Sequence, residues 1–153
     1  MTATRTAGFV HSLIALRVRP RDLDVLGHVN NAVILEYLEA GRWDWFERQG
    51  LAPDAEIAPV VARAEIDYLA QVPQAVIEVD TGMELLEPGT DESRLFTARL
   101  QQSIRVPGRQ RTAVRAVVTL AFVEGRLAGR PVSLHDFLRT AARQPAAAAA
   151  GRD

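Results

Sequence analysis

The sequence contains no cysteine and no lysine; all 18 of its basic residues are arginine. Without cysteine there is no disulfide scaffold, no cysteine–zinc site and no thiol nucleophile. Without lysine there is no Schiff-base amine and no phosphate-binding lysine of the Walker type. No apolar run approaches the roughly 20 residues of a membrane span, so no membrane partner is expected. Excess charge is missing as well. The 18 basic and 19 acidic residues leave a net charge of -1, which gives no footprint for nucleic acid. His11, His28 and His135 lack ligand spacing, so no metal is expected. No glycine-rich phosphate loop and no Gly-x-Ser-x-Gly elbow occurs, which argues against a serine hydrolase.

What is present is an ordinary globular composition, 48% apolar and 24% charged over 153 residues. A chain of this length forms one domain and buries roughly 70% of its unfolded surface. The missing lysine and the 24 alanines read as codon usage rather than arginine chemistry. Residues 1–8 read as a loose tail, 9–143 as a single domain, and 144–153, with five consecutive alanines, as a low-complexity tail. The stretch Gly8–Leu16 is interrupted by His11 and Ser12 and runs into Arg17 and Arg19. It reads as a strand rather than a signal segment, and the protein as cytoplasmic.

Ile14, Leu16 and Val18 alternate with Arg17 and Arg19, predicting a half-buried strand that Pro20 ends. From Ala32 the period changes. Ile34, Tyr37, Leu38, Gly41 and Trp45 recur at three- and four-residue spacing, predicting a helix of about 17 residues. Asn30 or Asn31 can cap its start, and Gln49-Gly50 stops it. Four strand-like stretches follow: Pro59–Gln71, Val76–Leu86, Glu92–Val106 and Gln110–Val123. Turns are expected at Pro88-Gly89 and Pro107-Gly108. Arg126–Pro131 reads as a loop. Ser133, with Asp136 as its capping-box partner, opens a short helix of about ten residues. One long helix followed by consecutive strands implies an α+β fold, with the helix covering one face of an antiparallel sheet.

Chemistry concentrates in Arg21–Asn31. Asp24 lies shortly before the helix start, Gly27 permits a positive-φ turn, and the helix N-terminus offers unpaired N–H groups. A carboxylate beside free amide donors suits acyl transfer: the amides polarise a carbonyl, and the carboxylate attacks it or activates water. Most aspartates before a helix merely form turns or caps.

The run DLDVLGHVNNAVILEYLEAGR, Asp22–Arg42, resembles the signature of the hot-dog fold thioesterases, the 4-hydroxybenzoyl-CoA thioesterase-like enzymes and the related acyl-carrier-protein thioesterases. Val60–Leu69 is similar to the family's second strand. The resemblance implies a five-stranded antiparallel sheet wrapped around one long helix, with a short C-terminal helix. It implies hydrolysis of an acyl-CoA or acyl-carrier-protein thioester by a homodimer or tetramer, with active sites between subunits; such hydrolysis requires no cofactor. By position Asp24 matches the catalytic carboxylate, nucleophile or general base. Asn31 matches the residue whose backbone amide meets the thioester carbonyl, Gly27 the glycine between them, and His28 a histidine of the carrier-protein branch. In that branch an asparagine precedes the histidine by two places; here Leu26 stands there. A further branch carries a glutamate on the long helix, for which Glu36 and Glu39 are loose candidates. Alternative readings on the same fold are a hydratase or dehydratase using His28, and a non-catalytic acyl-thioester binder.

The remaining residues read more plainly. Asp22 supports the turn through Arg19 or Arg21, and Asn30 braces or caps the loop. Tyr37, Trp43, Trp45 and Phe46 read as core, and Glu39 and Arg42 as a helix pair. Arg63 is the first candidate for a substrate phosphate, and Tyr68 for the pocket border.

Overall fold

A computed structural model describes residues 8–51, 56–84, 96–125 and 129–141. They form β1 (Ser12–Arg17), a 3-10 turn (Pro20–Asp22), α1 (Asn31–Arg48), β2 (Ile57–Tyr68), β3 (Val76–Met83), β4 (Thr97–Arg105), β5 (Val114–Glu124), β6 (Arg130–Val132) and α2 (Leu134–Ala141). One antiparallel sheet runs β1-β3-β4-β5-β2, with β6 beside the end of β5. This is the expected α+β architecture. The sixth strand corrects the expected loop at Arg126–Pro131, because three residues are too few to show alternation. Pro131 is tolerated there because β6 is short and lies at an edge. The Pro88-Gly89 turn and the two tails, Gly8 excepted, lie outside the described residues.

Alternation builds the core. Ile77 and Val79, Leu100 and Ile104, and Val114, Val118, Leu120 and Phe122 are buried together with Ile34, Leu38, Trp45 and Phe46 of α1. Gly41 sets how close the helix comes. A Cβ there would lie 2.8 Å from both Thr81 Oγ1 and Val79 Cγ1. Below it Gln102, 4% exposed, donates from Nε2 to Leu38 O and Thr81 Oγ1, each at 2.8 Å. A buried amide is tolerated when its hydrogen bonds are made. Trp43 departs from the expected core and is 47% exposed. At 100° per residue it falls outside the arc of Ile34, Leu38, Gly41 and Trp45. At the far end Phe137 of α2 stacks on Phe122, centroids 4.5 Å apart. Ser133 accepts the Asp136 N–H at 3.0 Å as a cap.

β2 is the edge strand that matters for the site. Val61 pairs with Leu120 but Arg63 with Thr119, so one extra residue forms a β-bulge at Ala62. Pairing with buried β5 residues puts Pro59, Val61, Ala64, Ile66 and Tyr68 on the helix side of the sheet. Arg63, Glu65 and Asp67 take the other side. The strict alternation read from Ala62 to Tyr68 therefore reverses upstream of the bulge. Because α1 packs chiefly on β1, β3 and β4, the apolar inner face of β2 is left open.

Candidate active site

The loop between β1 and α1 is built around two aspartates. Asp22, 3% exposed, accepts the Arg19 N–H at 2.9 Å and the Arg19 guanidinium at 3.2 Å. It also accepts the Tyr37 hydroxyl at 2.7 Å. The hydrogen bond from Tyr37, then those from Arg19, bring its carboxyl down to about 2 against the opposing effect of burial. Of the two expected partners, Arg19 and Arg21, it is Arg19 that binds it. The Asp22 carbonyl also accepts the Asn30 N–H at 2.9 Å, so this residue joins strand end, loop and helix.

Asp24 closes the turn that follows. Its Oδ1 accepts N–H groups from Leu26 at 2.9 Å and His28 at 3.2 Å, and its own N–H donates to His28 O at 2.7 Å. Gly27 takes φ +78° at the tip, where a side chain would be strained. Leu23 and Val29 bridge below. Oδ2 of Asp24 has no hydrogen-bond partner among the described residues.

Asn30 caps α1, and it takes up most of the helix's free donors. Its Oδ1 accepts from Ala32 N at 2.8 Å, and its carbonyl accepts from Val33 N at 2.9 Å and Ile34 N at 3.2 Å. The Asn31 N–H alone in this first turn has no acceptor among the described residues. It carries the partial positive charge of the helix end.

Asp24, His28, Asn31, Ile34, Tyr68 and Val72 share the lining of one open cleft of about 380 Å³. The structure thus brings together Asp24, His28, Asn31 and Tyr68. Gly27 and Asn30 shape the walls without lining them. Arg63 is elsewhere, on the outer sheet face, exposed and 3.0 Å from Glu65. Sequence reasoning missed the Tyr37–Asp22 bond, whose fifteen-residue separation follows no local spacing rule. It also missed Leu69–Val72, whose connection after β2 closes the cleft; the Pro73 that follows was the available signal.

Among the described residues no three His, Asp or Glu side chains gather to hold a metal ion, and no helix is long and apolar enough to cross a membrane. The Asn31 amide and the Asp24 carboxylate thus lie on one solvent-open cleft.

The model of the thioesterase-like superfamily matches residues 18–142. The chain is similar to a thioesterase from Thermus thermophilus complexed with coenzyme A and Zn, at 30% identity. That match covers 87% of this chain and 98% of that one, with TM-score 0.65. It is similar to the probable thioesterase YbaW of Escherichia coli at 26% identity, covering 86% and 96%, TM-score 0.66. A 1,4-dihydroxy-2-naphthoyl-CoA thioesterase from Synechocystis shares the fold at 15% identity, covering 86% and 94%, TM-score 0.69. No curated protein matches the chain.

Proposed function

Since the chain belongs to the thioesterase-like superfamily, we propose that it hydrolyses an acyl-CoA or acyl-carrier-protein thioester, with Asp24 as the acting carboxylate. The observation that carries this reading is the pairing of one helix amide, Asn31 N–H, with one carboxylate oxygen, Asp24 Oδ2, both without a partner among the described residues, on the same cleft.

The thioester carbonyl oxygen accepts from Asn31 N–H, and the helix terminus stabilises the charge that develops there. In the general-base course Asp24 takes a proton from water as the water oxygen bonds to the carbonyl carbon. The tetrahedral oxyanion collapses, the C–S bond breaks, and the thiolate recovers the proton. The products are a carboxylic acid and a thiol. In the nucleophilic course Oδ2 itself bonds to the carbon, the thiolate leaves, and water cleaves the resulting anhydride. Either way the Leu26 and His28 amides fix Oδ1 and aim Oδ2. His28 and Tyr68 border the path of the thioester, and the acyl group lies along α1.

Among the described residues no strand pairs with the outer edge of β2 from Ala58 to Tyr68, which supports association with a second copy, since long exposed edges invite strand pairing. A homodimer, or a tetramer built from it, covers this edge and completes the cleft.

A thiol-release assay across aliphatic and aromatic acyl-CoA and acyl-carrier-protein substrates tests the reading. Release of free thiol with at least one acyl group is expected, and it disappears in Asp24→Asn. Loss of enoyl absorbance from crotonyl-CoA without thiol release replaces hydrolysis with hydration.

A further inference from the structure

One flank of α1 carries Asn31, Leu35 and Arg42, which fall within about 40° of one another at 3.6 residues per turn. Facing it is the open, apolar inner side of β2. At the Asn31 end of this flank lies the Asp24–Asn31 cleft. Toward its other end lies a separate pocket of about 240 Å³ walled by Glu39, Arg42, Trp43, Phe46, Pro59 and Val61, among others. Leu35, 46% exposed, lies between the two ends.

Among the described residues Arg42 is the only arginine lining either space. Its Nη1 donates to Gln102 Oε1 at 3.1 Å. Among the described residues no carboxylate lies within ion-pairing distance of it, and the expected pair with Glu39 is not formed; Glu39 acts on it only through space. Burial lowers the guanidinium pKa, and the charge of Glu39 offsets this only in part. Gln102 is itself clamped between Thr81 and the Leu38 carbonyl, so it holds Arg42 as a rigid bracket. The remaining guanidinium donors form a planar fork that matches a carboxylate. A half-buried cation on an apolar wall is costly unless an anion meets it.

We propose that Arg42 binds a carboxylate at the far end of the acyl group, so that the preferred substrates are half-thioesters of dicarboxylic acids. This rests on the thioester-hydrolase reading of the Asp24–Asn31 cleft. Helix side chains lean toward the N-terminus, and the Gln102 bracket is anchored at Leu38, seven residues beyond Asn31. The two polar ends of the substrate are therefore separated by about 10 Å along the helix, which calls for a chain of medium length.

Wild type, Arg42→Met and Arg42→Lys are assayed for thiol release on matched pairs of CoA thioesters, plain and ω-carboxylated, over a ladder of chain lengths. Binding of the corresponding non-hydrolysable CoA thioethers is measured by calorimetry. Wild type favours the carboxylated member where the chain spans about 10 Å, and Arg42→Met lowers that kcat/KM ratio about ten- to a hundredfold. Arg42→Lys keeps part of the preference, and the thioether Kd values follow the same order. A wild type indifferent to the carboxylate at every length overturns the proposal. So does an Arg42→Met variant that depresses both members of each pair equally, or that acts only by loosening subunit association. Arg42-dependent binding of carboxylated thioethers without any cleavage keeps the subsite and removes the hydrolase reading. Cleavage without preference does the reverse.

Discussion

The Tyr37 hydroxyl donates to Asp22 Oδ2 at 2.7 Å, joining the second turn of α1 to a residue fifteen positions earlier. Asp22 in turn holds Arg19 by side chain and backbone, and accepts the Asn30 N–H through its carbonyl. The loop bearing Asp24 and the helix end bearing the Asn31 amide are therefore fixed in one frame. Preorganisation of this kind is what lets a carboxylate and an amide act together on one carbonyl.

Tyr37→Phe removes the donor and leaves a buried carboxylate short of one hydrogen bond. The expected loss is about 1–3 kcal/mol, read as a lower denaturant midpoint at unchanged slope. Turnover falls too, because the loop is no longer pinned to the helix. A variant as stable as wild type contradicts this account of the frame.

The same pair sets a pH dependence. The Asp22 carboxyl is lower in the folded protein, about 2, than its ordinary 3.8. The folded state thus favours the ionised form, and this stabilisation is present above 3.8 and lost as pH falls through that value toward about 2. Tyr37 is displaced the other way, upward, by burial and by Asp22. Its contribution is present below the ordinary 10.0 and lost as the pH rises above it. Thermal midpoints measured against pH show both limbs. Asp22→Asn shrinks the acid limb without abolishing it. Asp44, which burial raises but hydrogen bonds from Ser12 and Arg48 lower further, supplies another part.

Asp24 has two tasks that substitution can separate. Asn keeps an Oδ1 able to accept the Leu26 and His28 N–H groups, so Asp24→Asn folds with near-native stability and loses most thiol release. Asp24→Ala loses the turn bonds as well and gives up about 0.5–2 kcal/mol, the range for comparable side-chain caps. Circular dichroism melts beside the thiol assay resolve the two effects. Equal stability in both variants removes the turn role.

Gly41→Ala would stabilise an isolated helix by about 1 kcal/mol. Here the added Cβ meets Thr81 and Val79 at 2.8 Å, so helix and sheet must separate. A net destabilisation of about 1–3 kcal/mol is expected from overpacking, with the Gln102 clamp disturbed. A rise in melting temperature refutes the close contact.

Much of this was readable in the chain, for reasons that differ by element. The α1 stripe, the Pro20 stop and the Ser133 cap follow local rules, and the structure follows them with shifts of a residue or two. The loop at Asp24 was found through a motif whose parts touch within five residues. What escaped depends on distant partners. Trp43 sits among core aromatics in sequence yet lies off the packed arc. Arg42 has an acid three residues away and instead bonds Gln102, sixty residues on. β6 exists only because β5 offers it an edge. Arg63, the first candidate for a substrate phosphate, pairs with Thr119 and so lies on the sheet face opposite the cleft, a position that only strand pairing determines.

The extra residue at Ala62 divides β2 into two independently phased halves. Beyond it Tyr68 reaches the Asp24 cleft; before it Pro59, Val60 and Val61 wall the Arg42 pocket. Because Val61 and Arg63 pair with the consecutive residues Leu120 and Thr119, deleting Ala62 restores unbroken alternation and leaves Val61, Ala64 and Tyr68 on the inner face. The bulge therefore adds local twist and bend to β2 without exchanging the residues that face the helix.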